Sequence, residues 1–218
     1  MIDKFVPDLA AALAGIEDGA VILLAGFGNG MPETLVEGLI AQRARNLTLV
    51  ANSGGRETGP VAAILASGHV SKLICSFVRP DSVAGRLLGA GKLEVEIVPQ
   101  GTLAERIRAA GAGIQAFYTP TGADTLLAEG RETRVINGRN CLLEYPLPGD
   151  VALVDAWEAD RWGNLTHRES ARNFNPVMAM AAALTIVQTR HVVALGDIPP
   201  ANVHTPGVFV HRVVHVPA

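Results

Sequence analysis

Three short stretches carry residue types whose spacing could do chemistry. The first, Ala25-Gly26-Phe27-Gly28-Asn29-Gly30-Met31-Pro32, joins an unbroken apolar run to a helical pattern that opens on proline. Glycine lacks the Cβ that would hold a ligand away, so such a loop can bring backbone N–H groups close to a thioester, phosphate or carboxylate. A tight strand-to-helix turn without a ligand has the same composition. The glycine spacing is not G-x-G-x-x-G, and no acidic residue after the second strand stands ready for a ribose, so a dinucleotide cofactor is not expected. The second stretch, Pro99-Gln100-Gly101-Thr102, sets an amide side chain where a strand gives way to a helix. Ligands of open α/β sheets sit at such strand ends, where Gln100 is placed to donate to a developing oxyanion; a solvated loop glutamine is the plain alternative. Thr102 and Glu105 have the spacing of a capping box, which predicts Thr102 as the helix cap. The third stretch, from Trp157 to Asn164, has the composition of a tight turn with packed aromatics.

Other chemistries find no support. The six histidines (His69, His167, His191, His204, His211, His215) show no metal-ligand spacing, and no serine sits in a nucleophile elbow. Cys75 and Cys141 are far apart in sequence and fall in predicted strands, which suits buried, reduced thiols better than a disulfide or a zinc site.

The elements that must position these residues alternate. A short amphipathic helix near Leu9 and Leu13 ends by Gly15, and residues 20–25 read as a strand buried on both faces. Pro32 then opens a helix of about two turns. Residues 47–51 form the next strand, 61–66 a helix and 70–75 a strand, and 93–98, 103–110 and 114–118 continue the series. This βαβ alternation predicts an α/β fold: a mostly parallel open sheet with helices on both faces. Around Asn137-Gly138 the pattern changes to a β-hairpin. Residues 151–154 and 185–187 are expected as further strands and 208–214 as an extended tail.

The bulk composition agrees with one domain over residues 1–218. The hydrophobic fraction is 49% against 18% charged, so some apolar surface is expected to meet another protein chain. A net charge of -3 with scattered basic residues gives no footprint for a nucleic acid. No apolar run reaches the ~18 residues of a membrane span, and the acidic N-terminal stretch is not a signal peptide, so a cytoplasmic location is expected.

Taken together, several of these segments resemble the A (alpha) subunits of the family I CoA-transferases, the group that includes succinyl-CoA:3-oxoacid and 3-oxoadipate CoA-transferases. The resemblance is carried by Asp18-Gly19 and Gly26-Phe27-Gly28, by residues 93–108 with Pro99-Gln100-Gly101, and by Gly111-Ala112-Gly113. It continues through residues 116–122, Ala128-Glu129-Gly130, residues 160–165, Ala171-Arg172-Asn173-Phe174-Asn175-Pro176 and His204-Thr205-Pro206-Gly207. The family fold is an α/β sheet domain with the active site between an alpha and a beta chain. The resemblance implies no cofactor beyond the CoA-ester substrates, a B (beta) subunit partner in an A2B2 assembly, and a nucleophilic glutamate on that partner, since the family's Glu-Asn-Gly context is absent here. It assigns Gln100 to oxyanion stabilisation, and Gly26, Phe27, Gly28 and Asn52 to the substrate region. Two departures stand near that region: Ala25 replaces the first glycine of a loop that is one residue shorter than the family's, and Ser53 replaces a second asparagine. The run Cys75-Ser76-Phe77 with Arg79 looks closer to the 3-oxoadipate branch, and Arg79 is expected either to pair with the second carboxylate of a dicarboxylic acceptor or to be simply solvated. An acetoacetate or acetate transferase, a CoA-ester hydrolase on the same scaffold, and a non-catalytic ligand-binding module are the alternative functions.

Overall fold

The computed structural model describes residues 1–216. Its main sheet has the order β11 (Arg212–His215), β10 (Ala182–Val192), β8 (Gly149–Ala159), β1 (Val21–Leu24), β2 (Leu47–Val50), β3 (Val70–Cys75), β4 (Glu94–Ile97), with β9 (Leu165–Thr166) antiparallel to the end of β8. All pairings along that path are parallel. The central strand β1 (Val21–Leu24) is Val-Ile-Leu-Leu, and its alternate side chains enter two different cores: Ile22 and Leu24 on one face, Leu23 on the other. That two-sided burial is why the strand reads as a continuous apolar run rather than an alternating one.

On the first face pack α1 (Leu9–Leu13), α2 (Glu33–Ala41), α3 (Pro60–Ala66) and α4 (Val83–Gly89), each touching the next. Of these, α2, α3 and α4 link β1 to β2 (Leu47–Val50), β3 (Val70–Cys75) and β4 (Glu94–Ile97) in turn. Leu35, Leu39, Ile64 and Leu65 supply the apolar side of these crossovers. The opposite face is covered by α5 (Gln100–Gly111) and α6 (Asn175–Met180), which contribute Leu103, Ile107 and Met178 to the second core. After β4 the chain crosses to the other side of β1, where β8 (Gly149–Ala159), β10 (Ala182–Val192) and β11 (Arg212–His215) complete the sheet. The strand order therefore reverses at β1, the kind of place where an open α/β sheet leaves a crevice beyond its carboxyl ends.

The expected architecture is present, with four local differences. The strand expected over 114–118 is β5 (Phe117–Thr119), and it belongs to a separate antiparallel sheet of order β5-β7-β6 rather than to the parallel one. Its partner hairpin, β6 (Thr133–Ile136) and β7 (Arg139–Glu144), turns at Asn137 and Gly138, both at positive φ (51° and 73°) as a type I′ turn demands. The helix α4 has no counterpart in the expected elements, because Gly85 and Gly89 blunt its helical signal. Ser82, which accepts from the Gly85 N–H at 3.1 Å, is its cap. Thr102 does not cap α5: the cap position is Pro99, Thr102 is buried one turn further in, and Glu105 pairs with Arg108 instead. The helix starts earlier than expected because Pro99, with no N–H to satisfy, leads into it and leaves Gln100 in its first turn. Finally, β8 and β10 run for 11 residues each, well past 151–154 and 185–187.

The small sheet is tied to the main body by ion pairs of Arg106 on α5. Arg106 meets Glu96 of β4 at 3.1 Å and buried Glu144 of β7 at 3.8 Å, and Arg131 reaches Glu144 at 2.8 Å. These contacts hold α5, and with it Gln100, against the edge of the sheet. Cys75 lies in β3 and Cys141 in β7, both buried and unpaired. Among the described residues no helix is long and apolar enough to cross a membrane.

Candidate functional site

The loops that leave the carboxyl ends of β1, β2, β3 and β4 enclose a cleft of about 720 Å³. Gly26, Phe27 and Gly28 line it from the loop after β1, Asn52 from the end of β2, Arg79 from the loop after β3, and Gln100 from the loop–helix junction after β4. All six residues singled out in the sequence thus meet in one cavity. Each follows a neighbouring parallel strand, and parallel strands deliver their carboxyl ends to the same edge.

Gln100 is solvent-accessible, and its Nε2 donates to Asn52 Oδ1 at 2.9 Å. Asn52 is buried, and its carbonyl oxygen accepts from the Ser76 N–H at 3.1 Å and from the Ser76 hydroxyl. One N–H of the Gln100 amide is therefore anchored to the sheet through β2 and β3. The other is left to serve a ligand, which is the requirement for a preorganised oxyanion donor.

The glycine loop is held at both ends of its turn. Gly26, at φ 108°, has no room for a Cβ: one would stand 2.5 Å from Met31 Cγ and 2.9 Å from the Gly30 oxygen. Gly30, at φ 68°, lies against Ala171, where a Cβ would come within 2.6 Å of the carbonyl oxygen. Side-chain amides and a hydroxyl from residues 170–175 clamp the loop from outside. Asn29 Nδ2 donates to Ser170 Oγ at 2.9 Å, Asn173 Nδ2 to the Asn29 carbonyl at 3.0 Å, and Asn175 Nδ2 to the Gly30 carbonyl at 2.9 Å. Phe27 and Phe77 stand on the cleft's wall, each 56% exposed. Ala25 is fully buried in the second core, and the Ser53 hydroxyl accepts from the Gly55 N–H at 3.4 Å.

Arg79 lies in the loop before α4, as expected, with its Nε 3.3 Å from Asp81 Oδ1. Its backbone is fixed because the carbonyl accepts from the Ser82 hydroxyl at 2.7 Å.

Beside the glycine loop, a second cavity of about 210 Å³ is lined by Asp155, Trp157, His167, Arg168 and Arg190, and shares Asn29 with the cleft. Gln188 spans the floor between β10 and α2, accepting from the Leu35 N–H at 3.1 Å and donating to Asp155 Oδ1 at 2.8 Å. Burial pushes the Asp155 carboxyl upward, against the hydrogen bond from Gln188. His167 is neutral: its Nδ1–H donates to the Asp155 carbonyl at 3.0 Å and its Nε2 accepts from the Thr205 hydroxyl at 2.9 Å. Sequence reading missed this cluster as a group and placed Trp157 in a tight turn with packed aromatics; Trp157 lies instead in β8, its ring centroid 4.3 Å from that of His191. Among the described residues no group of three or more His, Cys, Asp or Glu side chains is arranged to hold a metal ion.

Burial lowers the His167 pKa from 6.5 to about 4. The unfolded chain takes up the proton first as pH falls, so this histidine stabilises the fold fully above about pH 6.5 and loses that contribution between there and pH ~4. The loss is on the order of 3 kcal/mol. His204 and His211, also lowered by burial, act in the same direction. Urea unfolding from about pH 7 to about pH 4 should show a falling midpoint that is flattened in His167→Gln; an equal slope in both proteins would remove His167 from the account.

A family model described as Coenzyme A transferase matches residues 6–216. The alpha chain of 3-oxoadipate CoA-transferase from Pseudomonas putida is 53% identical over 219 residues, covering 99% of this chain and 95% of that protein. The alpha chain of a probable succinyl-CoA:3-ketoacid coenzyme A transferase from Bacillus subtilis is 46% identical over 200 residues, covering 91% and 84%. Among solved structures, the glutaconate coenzyme A-transferase of Acidaminococcus fermentans superposes with a TM-score of 0.86 at 19% identity, over 98% of this chain and 76% of that one. The decarboxylase AibA/AibB superposes with a TM-score of 0.84 at 29% identity, over 99% and 84%.

Proposed function

The chain belongs to the coenzyme A transferase family, and from that premise we propose that it is the alpha subunit of an enzyme that moves CoA from succinyl-CoA to 3-oxoadipate. The near-full-length identity to the corresponding chains of two 3-oxoadipate CoA-transferases carries this reading. The cleft supports it, because an oxyanion donor, a glycine-rich loop and exposed aromatic rings share one cavity. The nearest thiol, Cys75, is buried and its pKa is raised by that burial, so it is not poised to attack.

In this reading a glutamate supplied by a beta chain attacks the thioester carbonyl of succinyl-CoA. The tetrahedral oxyanion collapses to an acyl-glutamyl anhydride as the CoA thiolate leaves. The thiolate then attacks the glutamyl carbonyl, succinate departs, and glutamyl-CoA remains. The acceptor carboxylate repeats the sequence in reverse. Each tetrahedral state carries negative charge on an oxygen, and the free N–H of Gln100 is the donor this chain contributes to it. Gly26, Phe27 and Gly28 shape the wall against which the thioester lies, Asn52 holds Gln100 in register, and Arg79 lines the cleft with its charge shared with Asp81. The assembly in this reading is A2B2, located in the cytoplasm.

Co-expression with the neighbouring beta-type chain, followed by assay of CoA transfer to 3-oxoadipate and acetoacetate, tests the reading. Transfer by the complex and by neither chain alone is expected, with a mass in solution of two copies of each. Full transfer by the isolated chain, or a stable complex that hydrolyses succinyl-CoA without transferring CoA, would overturn it.

A further inference from the structure

We propose that Arg56 is a specificity-determining residue of the cleft, recognising the second carboxylate of a dicarboxylic 3-oxoacid; the inference rests on the CoA-transfer reading and deepens it. The charged side chains that line the cleft are Glu33, Arg56 and Arg79. Arg79 already shares its charge with Asp81. Glu57, the carboxylate next to Arg56 in sequence, is taken by Arg86 of α4 in a bidentate pair, with Nη1–Oε2 at 2.8 Å and Nη2–Oε1 at 2.9 Å. Arg79 and Arg86 thus each have a carboxylate partner, whereas Arg56 pairs with none, Glu33 on the same cleft included. Among the described residues its guanidinium forms no ion pair and no side-chain hydrogen bond, although it is exposed at the cleft.

The position of Arg56 is set by its neighbour. Gly55, at φ 73°, turns the chain against α3 so closely that a Cβ there would stand 2.9 Å from Val61 Cβ. A charge held on such a turn can serve a ligand without first giving up a protein partner, whereas Arg79 has to share Asp81.

The chemistry selects the ligand. The reacting carboxylate of the acceptor must lie near Gln100. A second carboxylate on the same molecule would enter a cleft walled in part by Phe27 and Phe77, and loses hydration at a cost unless a cation meets it. A guanidinium fork matches a carboxylate in a bidentate manner. A monocarboxylic acceptor such as acetoacetate presents a methyl group instead and gains nothing from Arg56.

The test is steady-state transfer by the assembled two-chain complex carrying Arg56→Gln, with Arg56→Lys and Arg79→Ala beside it. In a double-displacement reaction kcat/KM for the acceptor does not depend on the donor, so 3-oxoadipate and acetoacetate are compared on the same glutamyl-CoA enzyme. The expected result for Arg56→Gln is a drop of about 10-fold or more in the ratio of kcat/KM for 3-oxoadipate to that for acetoacetate, partly restored in Arg56→Lys. An equal fall for both acceptors would assign Arg56 to a phosphate of CoA and overturn the inference. So would an unmoved ratio, or a ratio that moves only in Arg79→Ala. A wild-type complex that transfers CoA to neither acceptor takes down the underlying reading and this inference with it, while wild-type transfer with an unmoved ratio in the variant sinks Arg56 alone.

Discussion

Replacing Gln100 by alanine in the assembled complex is expected to lower kcat for CoA transfer about 100- to 1000-fold, the range seen when one preorganised oxyanion donor is removed. The KM for the CoA ester should move far less, because the amide is matched to charge that develops only in the tetrahedral states. Both half-reactions pass through such states, so the loss should be similar with either acceptor. Folding should be nearly untouched. Gln100 is accessible to solvent, and its one protein hydrogen bond, to Asn52, is worth about 1 kcal/mol. Gln100→Glu should be at least as damaging, since a carboxylate donates nothing and sets a negative charge where another must form. A kcat within about threefold of wild type in Gln100→Ala, with the glutamyl-CoA intermediate still formed, would exclude the amide from the oxyanion site.

The reason Gln100 can be singled out from sequence is also the reason its surroundings cannot. Gly26, Asn52, Arg79 and Gln100 each follow a strand, and a parallel sheet sends the carboxyl ends of consecutive strands to one edge, so locating β1 to β4 is enough to gather them. Those strands are legible because burial on both faces makes them short apolar runs. The outer halves of β8 and β10 are not legible, because Asp155, Glu158, Gln188 and Arg190 break the apolar signal where the strands enter the polar cluster beside the cleft. Likewise β5 reads as one more parallel strand, since its Phe-Tyr-Thr sequence says nothing about its partner. Only the hairpin that follows, fixed by Asn137-Gly138, supplies an antiparallel edge for it to join. The Thr102 capping-box spacing misleads for a different reason. A cap signal in sequence competes with whatever precedes it, and Pro99 has already opened the helix.

The support of the glycine loop lies in contacts between residues far apart in the chain, and Asn175 shows how much of the site depends on them. It is fully buried and makes three hydrogen bonds to separate segments: its Nδ2 donates to the Gly30 carbonyl at 2.9 Å and to the Ala171 carbonyl at 2.8 Å, while its Oδ1 accepts from the Asp155 N–H at 2.9 Å. No other side chain type offers two donors and an acceptor in that small a volume. Asn175→Ala leaves three backbone groups without their partner in a site closed to bulk water. Each unsatisfied group costs about 1–3 kcal/mol and some relaxation is expected, so the unfolding free energy should fall by about 3 kcal/mol or more. Asn175→Asp separates the two roles of the amide. The carboxylate can still accept from Asp155, but it repels the Gly30 and Ala171 carbonyls and buries a charge, so it should be no better than alanine. Because Gly30 ends the loop that begins at Gly26, either variant should also lower kcat/KM in the assembled complex, by freeing a wall that the thioester is read as lying against. Urea unfolding of the isolated chain, set beside transfer kinetics of the complex, measures both effects. A variant as stable and as active as wild type would show that the loop is held by Gly26, Gly30 and Met31 alone, and that the buried amide is only packing.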